Sequence, residues 1–252
     1  MAAHKVLAVI PARFASTRFP GKVMAPIGGK PLVWHTFQRA LKATLVSDVV
    51  VATDDERVAG PLRDLHVPVV LTRPDHPSGT DRISEVANGT TADLIVNVQG
   101  DEPLIDPHTI DAAVEVMLDD ESLSMSTARR LLIDNDDILN PNVVKVVCDS
   151  HGKALYFSRS PIPHIRDSAD RECCPPCYWQ HIGLYVYRRS FLLEFAKWQP
   201  TTLEKLEKLE QLRVLEHGHA IGVIETSYKS IGVDTPEDLE RVRVMIEHIV
   251  QG

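Results

Sequence analysis

The chain has 252 residues, of which 44% are hydrophobic and 25% charged, and its formal net charge is −8. The acidic balance argues against non-specific nucleic-acid binding, no stretch approaches the roughly 20 apolar residues of a membrane span, and the N-terminus lacks the layout of a signal peptide. These features predict a cytoplasmic protein without nucleic-acid or membrane partners, large enough for one sizeable α/β domain or two smaller ones.

The first segment of interest, residues 6–22, combines a predicted strand with a basic loop. Residues 6–10 form a continuous β-branched and apolar run, typical of a buried parallel strand, which stops at Pro11. The loop that follows carries three cations, Arg13, Arg18 and Lys22. Residues 1–47 contain seven Lys or Arg and no Asp or Glu, so a charge of +7 is concentrated there. Fixed cations and unpaired backbone N–H groups after a first strand are what a polyphosphate requires.

Strands and helices alternate through the first half of the chain. Predicted strands follow at 49–52, 67–71 and 94–98; helices are predicted to start at Pro31, after Asp55 (interrupted or restarted at Gly60-Pro61) and after Ser78, the last covering about 81–88. This alternation is typical of a parallel sheet, whose ligands bind beyond the carboxyl ends of the strands. We therefore expect the loop 11–22, residues 53–55 and residues 99–101 to share one rim of the sheet.

The second half has a different pattern. A helix is predicted from Pro107, capped by Asp106, to about Leu118, and short strands at 123–128, 143–147, 154–158 and 181–187 indicate a mixed or antiparallel extension. The capping box of Thr201 and Glu204 predicts one helix that ends near Gly218. A strand at 221–224 and a last helix after Thr235-Pro236, with Ile249 in its packing stripe, complete the prediction. Neither an internal repeat nor a domain linker is evident.

The cysteines give no clear site. Cys148, Cys173, Cys174 and Cys177 are the four in the chain, and Cys174 and Cys177 have C-x-x-C spacing. Because a second pair for a structural zinc site is lacking, a variable surface loop is the favoured interpretation over zinc or redox chemistry.

The basic loop matches neither common phosphate-binding pattern. It lacks G-x-x-x-x-G-K-[ST], since Lys22 is followed by Val23, and it lacks G-x-G-x-x-G. Three cations spaced five and four residues apart in a turn-rich segment suit a triphosphate. The alternative is a set of solvated surface charges.

Two carboxylates are candidate metal ligands. Asp101 follows the fourth predicted strand, and Asp234 precedes the last helix. Mg²⁺ commonly takes one or two carboxylates and shares them with substrate phosphates. A Gly-Asp turn at Asp101 and helix capping at Asp234 are the alternatives.

Taken together, these segments resemble a known family. The segments on which the resemblance rests are I-P-A-R-F-A-S-T-R-F-P-G-K (10–22), H-P-S-G-T-D-R (76–82), N-V-Q-G-D-E-P (97–103), Y-F-S-R (156–159), Q-H-I-G-L-Y (180–185), L-E-K-L-E-Q-L-R (206–213) and G-V-D-T-P-E-D-L (232–239). They are similar, in order and over nearly the whole chain, to the CMP-KDO synthetases, or 3-deoxy-manno-octulosonate (KDO) cytidylyltransferases. The first element alone indicates only the wider nucleotidyltransferase superfamily.

The resemblance implies an activity and a fold. The activity is transfer of CMP from CTP to KDO with release of pyrophosphate, dependent on Mg²⁺, for the inner core of lipopolysaccharide. The fold is a single αβα nucleotidyltransferase domain over 1–252, with a mostly parallel, Rossmann-like sheet and a smaller mixed or antiparallel extension. CTP would bind to about 1–120, the sugar and a second copy in a homodimer to about 121–230, and the C-terminal helix would return to the core.

Roles for individual residues also follow from the resemblance. Catalysis is assigned to Arg13, Lys22 and Asp101, and metal binding to Asp101 and Asp234. Nucleotide binding is assigned to Pro11, Ala12, Arg13, Arg18, Lys22, Ser78, Gly79, Arg82 and Gln99.

KDO carries a carboxylate, so its binding site needs a cation. Arg159 is the candidate partner, since a guanidinium binds that group in a bidentate manner. His181, Tyr185, Glu210 and Gln211 are assigned to the rest of the sugar. The alternatives are a surface ion pair for Arg159, a core position for His181 and an exposed helix face for Glu210.

Several other functions stay open on the sequence. A cytidylyltransferase for a sialic acid shares the basic loop, and one for 8-amino-KDO differs only in contacts to the sugar. A glycosyltransferase would also use a nucleotide and a carboxylate-bound metal, but would release no pyrophosphate. A non-catalytic nucleotide-binding protein on this fold is the last alternative. The presence of both metal carboxylates and phosphate cations argues against it, because such a protein has no chemical need for them.

Overall fold

The computed structural model describes residues 4–15, 19–167, 177–229 and 231–251. Arg18, Cys173 and Cys174, which enter the predictions above, lie outside the described residues, as does the side chain of Ile249.

Within these ranges, one twisted sheet organises the fold. The strands are β1 (Val6–Pro11), β2 (Pro26–Ile27), β3 (Lys30–Pro31), β4 (Asp48–Thr53), β5 (Val69–Leu71), β6 (Leu94–Asn97), β7 (Met125–Leu131), β8 (Lys145–Cys148), β9 (Ala154–Ser158), β10 (Trp179–Arg188) and β11 (Ile221–Glu225). The main sheet has the order β11-β7-β10-β6-β1-β4-β5; β8 pairs with β10 and β9, and β2 and β3 form a separate small hairpin. Strands β6, β1, β4 and β5 are mutually parallel, whereas β10 runs antiparallel to both β6 and β7.

Helices cover both faces of this sheet. In the described ranges they are α1 (Leu32–Ala40), α2 (Glu56–Asp64), α3 (Gly79–Asn88), α4 (Pro107–Asp119), α5 (Asn135–Leu139), α6 (Arg189–Phe195), α7 (Thr202–Glu207), α8 (Gln211–Glu216) and α9 (Pro236–Gln251), with a 3₁₀ turn at Lys22–Met24. Alternate β1 side chains point to opposite faces: Ala8 and Ile10 pack in the core with α1, α2 and α4, and Leu7 and Val9 pack in the core with α3, α6 and α8. This arrangement confirms the predicted αβα layering.

Three predicted elements differ clearly from the structure, and the ends of others shift by a few residues. The prediction that the helix is interrupted at Gly60-Pro61 is wrong. Helix α2 continues through Pro61, although proline has no backbone N–H to donate. The predicted single helix after Thr201 is also wrong. The capping box is present, but α7 ends at Glu207, its C-cap Lys208 has a left-handed φ of 54°, and α8 begins at Gln211. The third strand is shorter than predicted and starts at Val69.

The predicted extension is part of the main sheet. Strand β10 pairs with β6 on one side, where Tyr185 lies opposite Asn97, and with β7 on the other. Residues from the second half of the chain therefore lie directly beside the strand that leads to Asp101. None of the described helices is long and apolar enough to cross a lipid bilayer.

Candidate functional site

A cavity of about 390 Å³ opens at the carboxyl ends of β1 and β6. Its lining includes Pro11, Arg13, Lys22, Gly79, Gln99, Gly100, Asp101 and Asp234. The prediction that the basic loop and residues 99–101 share one rim is thereby confirmed. Thr53 ends the neighbouring strand β4, and Asp54 and Asp55 follow it. Asp55 caps α2 by accepting a hydrogen bond from Arg57 N at 2.9 Å.

Lys22 joins the two carboxylates of this cavity. Its Nζ donates to Asp101 Oδ2 at 2.6 Å and to Asp234 Oδ1 at 2.8 Å, and only 13% of its side chain is exposed. Burial alone would lower the pKa of Lys22, but the two carboxylates outweigh that effect and raise it. The ammonium is therefore charged at neutral pH and held between two negative groups.

Backbone contacts bring the carboxylates together. Gly100 packs so closely on β1 that a Cβ atom there would lie 2.6 Å from Pro11 O, which no other residue type permits without movement. Val233 N donates to Asp101 O at 2.9 Å, and Tyr228 Oη donates to Glu102 Oε2 at 3.2 Å. These contacts join the Asp101 loop to the segment that carries Asp234.

The basic loop presents Arg13 to solvent at the mouth of the cavity. Its neighbour Phe14 is covered by the Arg57 guanidinium, 3.8 Å from the ring centre. Gly21 N donates to Phe14 O at 2.9 Å, and Gly21 has φ 72°. This left-handed turn, natural for glycine, starts the 3₁₀ turn that carries Lys22.

The N-terminus of α3 forms another part of the rim. Ser78 caps the helix by accepting from Asp81 N at 3.2 Å, and Gly79 packs against Pro11. Arg82 is fully buried; its Nη1 donates to Thr72 Oγ1 and lies 3.3 Å from Asp54 Oδ1. The Arg82 side chain therefore joins α3 to the segments that follow β4 and β5, and it is not part of the cavity lining.

An aromatic cluster on β10 lies next to this cavity. Tyr185 stands between His181 and Tyr187, with ring centres 5.5 and 6.0 Å away. A register shift in β10 between Ile182 and Tyr185 locally bends the pairing with β7. A Cβ atom on Gly183 would lie 4.0 Å from Gln99 Cγ, so Gln99 lines the cation-lined cavity and also lies against β10.

Two polar residues of α8 and its N-cap meet this cluster. Tyr185 Oη donates to Gln211 Oε1 at 3.4 Å. Gln211 is 4% exposed, and its Nε2 has no hydrogen-bond partner among the described residues. Glu210 Oε2 accepts from Thr80 Oγ1 at 2.9 Å. Burial raises the pKa of Glu210, although Thr80 and Arg213 oppose that effect.

Arg159 lies where three chain segments meet. Its guanidinium donates to the backbone carbonyls of Glu207 at 2.7 Å, Pro141 at 2.9 Å and Lys208 at 3.5 Å. All three acceptors are neutral, so these contacts hold the guanidinium in place without cancelling its charge. Its backbone N–H also donates to the Glu207 carboxylate at 2.9 Å.

The sequence analysis did not select a buried lysine beside Arg159. Lys145 is fully buried, and its Nζ donates to the carbonyls of Asn140, Val143 and Arg159 at 3.0, 2.7 and 2.6 Å. Burial lowers the pKa of Lys145, an effect that Glu207 opposes. A lysine within the apolar run 143–147 was the available signal, because a charge in such a run needs a specific set of acceptors.

His181 is a buried, neutral histidine. It is 8% exposed, its Nε2 lies 2.9 Å from Thr127 Oγ1, and burial lowers its pKa to about 3. The unfolded chain takes up this proton near pH 6.5, so the stabilising difference is complete above that pH and is lost as the pH falls towards 3.

We therefore expect a pH-dependent stability difference in the variant His181→Gln. Between pH 7.5 and 5.0, the unfolding free energy of the wild type should fall by about 2 kcal/mol more than that of the variant. Urea unfolding of both proteins at the two pH values measures this. An equal fall in the two would show that His181 is not the group that titrates.

The carboxylate pair has the chemistry of a magnesium site. Asp101 and Asp234 supply hard oxygen ligands, and Mg²⁺ needs few protein ligands when it is shared with phosphates. The Lys22 ammonium between them is a stand-in cation that shows the pair to accept positive charge. Among the described residues, no group of three or more His, Cys, Asp or Glu side chains is arranged to hold a metal.

The site and the fold define a class. One cavity at the rim of an α/β sheet combines fixed cations with two carboxylates, as in enzymes that bind a nucleoside triphosphate. Residues 7–226 match the family model described as cytidylyltransferase. A solved structure described as CMP:2-keto-3-deoxy-manno-octonic acid synthetase complexed with CTP is similar with a TM-score of 0.91 and 40% identity, over 97% of this chain and 99% of that one.

Two relatives narrow the class of protein further. A 3-deoxy-manno-octulosonate cytidylyltransferase of Geobacter metallireducens is 55% identical over 248 residues, 94% of this chain and 96% of the relative. One of Solibacter usitatus is 52% identical over 251 residues, 99% of this chain and 98% of the relative. The chain belongs to the cytidylyltransferase family and, within it, to the 3-deoxy-manno-octulosonate cytidylyltransferases.

Proposed function

We propose that this chain transfers CMP from CTP to the anomeric hydroxyl of KDO and releases pyrophosphate. The observation that carries the proposal is Lys22, held between Asp101 and Asp234 in a cavity that Arg13 also lines. The names of its relatives support CTP and KDO as the substrates.

The reaction is an in-line displacement at phosphorus. The sugar oxygen forms a bond to the α-phosphorus of CTP, the bond from that phosphorus to the pyrophosphate oxygen breaks, and the hydroxyl proton leaves to solvent. Such a transfer depends on positioning and on charge stabilisation, with no covalent enzyme intermediate required.

The cations of the basic loop act on the triphosphate. Arg13 and Lys22 hold its oxygens and offset the charge that grows on the departing pyrophosphate. Arg18 has the same assigned role, although it lies outside the described residues. Backbone at Pro11 and Ala12 approaches the nucleotide closely, because β1 ends at the cavity.

Asp101 and Asp234 would hold Mg²⁺ in this site. Bound Mg²⁺ supplies positive charge at the α-phosphate and lowers the pKa of the attacking hydroxyl. The two carboxylates keep the positive charge of the site balanced before CTP binds, through their contacts with Lys22.

The nucleoside is assigned to the α3 side of the cavity. Ser78 and Gly79 form the turn that faces it, and Gln99 offers an amide between the two substrates. Arg82, which is fully buried, would contribute by holding α3 against Thr72 and Asp54.

The sugar is assigned to the cluster of His181, Tyr185, Glu210 and Gln211. The buried Gln211 Nε2, which lacks a partner among the described residues, supports this assignment because a sugar hydroxyl would satisfy it. Arg159, with its charge uncancelled by its carbonyl contacts, is the proposed partner of the KDO carboxylate.

The cellular setting follows from the same proposal. CMP-KDO is an activated sugar for the lipopolysaccharide inner core, and its synthesis from CTP places the protein in the cytoplasm. We also propose a homodimer built through the part of the chain from about 121 to 230.

A pyrophosphate-release assay tests this function. With CTP and Mg²⁺, release is expected with KDO and at background level with sialic acid or without a sugar; 8-amino-KDO is a further arm. Faster release with another sugar would reassign the substrate. No release with any sugar, from folded protein that binds CTP, would contradict the proposal and favour a glycosyltransferase or a non-catalytic protein.

A further inference from the structure

Lys22 lies between the two carboxylates that are proposed as metal ligands. Its Nζ lies 2.6 Å from an oxygen of Asp101 and 2.8 Å from an oxygen of Asp234, so one ammonium contacts both carboxylates at once. Lys22 and Asp234 are 212 positions apart in the chain, and Lys22 and Asp101 are 79 apart. The fold thus brings three distant segments together to make this contact.

A metal ion on the same two carboxylates would be repelled by the Lys22 ammonium. Two positive charges a few ångströms apart in a partly buried site repel strongly, because the effective dielectric there is well below that of water. The carboxylates also have fewer oxygens to offer a metal while they accept hydrogen bonds from Lys22. One of the two cations must therefore leave when the other binds well.

We propose that Lys22 is a resident counter-cation that a divalent metal must displace from Asp101 and Asp234. The inference rests on the proposed metal role of these two carboxylates and adds a competitor to it. Lys22 then has two positions: on the carboxylates before substrate binds, and on the triphosphate afterwards.

The surroundings of Lys22 suit such a movement. A lysine ammonium is a compact charge on a flexible four-carbon stem, without the fixed planar geometry of arginine. The cavity of about 390 Å³ lies next to it and is also lined by Arg13. Phosphate oxygens in this cavity would replace the carboxylates as acceptors, so Lys22 keeps a negative partner in both positions.

The proposal predicts that removing a positive residue strengthens metal binding. We expect the variant Lys22→Met to bind Mn²⁺, without nucleotide, about tenfold or more tightly than the wild type, because a close like charge is removed. Electron paramagnetic resonance of free Mn²⁺ during a titration at pH 7.5 measures the affinity directly and needs no turnover. The same variant should bind CTP more weakly, so the two affinities move in opposite directions.

Two matched variants separate displacement from general electrostatics. Lys42→Met removes an exposed lysine at a different pocket and should leave Mn²⁺ affinity unchanged. Arg13→Met removes a cation from the same cavity and should give a clearly smaller gain than Lys22→Met. Equal gains for Arg13→Met and Lys22→Met would overturn the proposal.

A measurement on the unaltered protein covers the case in which Lys22→Met folds poorly. Brief acetylation followed by mass spectrometry reports how accessible each lysine is. Mn²⁺ should increase modification of Lys22, which is largely covered without metal, relative to Lys42. Unchanged modification of Lys22 at saturating Mn²⁺ would overturn the proposal.

The variants Asp101→Asn and Asp234→Asn distinguish a failure of the proposed competition between Lys22 and the metal from a failure of the proposed metal site itself. If both weaken Mn²⁺ binding but Lys22→Met brings no gain, the carboxylates bind metal and the competition is refuted. If neither changes Mn²⁺ binding in either background, the proposed metal site fails and the competition fails with it.

Discussion

Replacing Asp101 with Asn is expected to reduce turnover with CTP and KDO by about a thousandfold or more, in line with the loss of an electrostatic group at a reacting centre. The amide has nearly the same shape as the carboxylate, so the packing of Gly100 on Pro11 is retained. The lost charge removes a proposed metal ligand and one of the two partners of Lys22. Pyrophosphate release at saturating substrates measures the effect, and thermal unfolding verifies the fold.

A surface variant controls for the charge change itself. Asp64 is exposed at the end of α2, away from the cavity, and Asp64→Asn should keep full activity. Near-normal turnover of Asp101→Asn at ordinary Mg²⁺ would remove Asp101 from the metal role.

Replacing Arg159 with Ala is expected to raise the KM for KDO by about a hundredfold, while the KM for CTP changes by only a few-fold. The magnitude is that of a lost charge-assisted, bidentate contact, about 3 kcal/mol. Arg159→Lys should recover only part of the loss, because a point charge lacks the planar fork. Initial rates with each substrate varied in turn give both constants.

The position of Arg159 makes this experiment informative in either direction. Its guanidinium also anchors the carbonyls of Pro141, Glu207 and Lys208, so thermal unfolding of Arg159→Ala is measured as well, and a loss of structure that extends to the nucleotide side would raise both KM values. Equal rises in the two KM values would therefore move Arg159 out of sugar recognition. Arg63→Ala, which breaks only an exposed pair with Glu56, is the matched control and should change neither constant.

The phosphate side of the site was predictable because it follows from chain order. Parallel strands that end at one edge bring the loops after them together, so Arg13, Lys22 and Asp101 could be placed on one rim before the fold was known. Their contacts could not be derived in this way. That Lys22 lies between both carboxylates depends on Asp234, whose neighbour Val233 is hydrogen-bonded to the backbone of Asp101 in the folded chain.

On the proposed sugar side of the site, the spacing of residues did not predict the local structure correctly. The leucines at 203, 206, 209 and 212 have helical spacing, but Lys208 takes a left-handed conformation and divides the segment into α7 and α8. That break fixes the carbonyls of Glu207 and Lys208 where Arg159 binds them. A backbone conformation selected by tertiary contacts leaves no mark on residue periodicity.

Lys145 and Tyr228 illustrate a second limit. The acceptors of Lys145 are backbone carbonyls, which every residue has, so residue types do not identify them. Tyr228 and Glu102 are 126 positions apart and meet only in the folded chain. Their hydrogen bond joins the segments of Asp101 and Asp234, yet neither residue belongs to a motif that predicts the other.

The late position of Asp234 means that the paired carboxylates form only when the C-terminal part of the chain is present. Arg13, Lys22 and Asp101 come early in the chain, and the parallel strands β1, β4, β5 and β6 pair with one another within residues 6–97. The second carboxylate arrives only with the segment that Val233 and Tyr228 dock against the Asp101 loop. A C-terminally cleaved chain would thus keep the cations proposed for the nucleotide but lack the second carboxylate proposed for the metal.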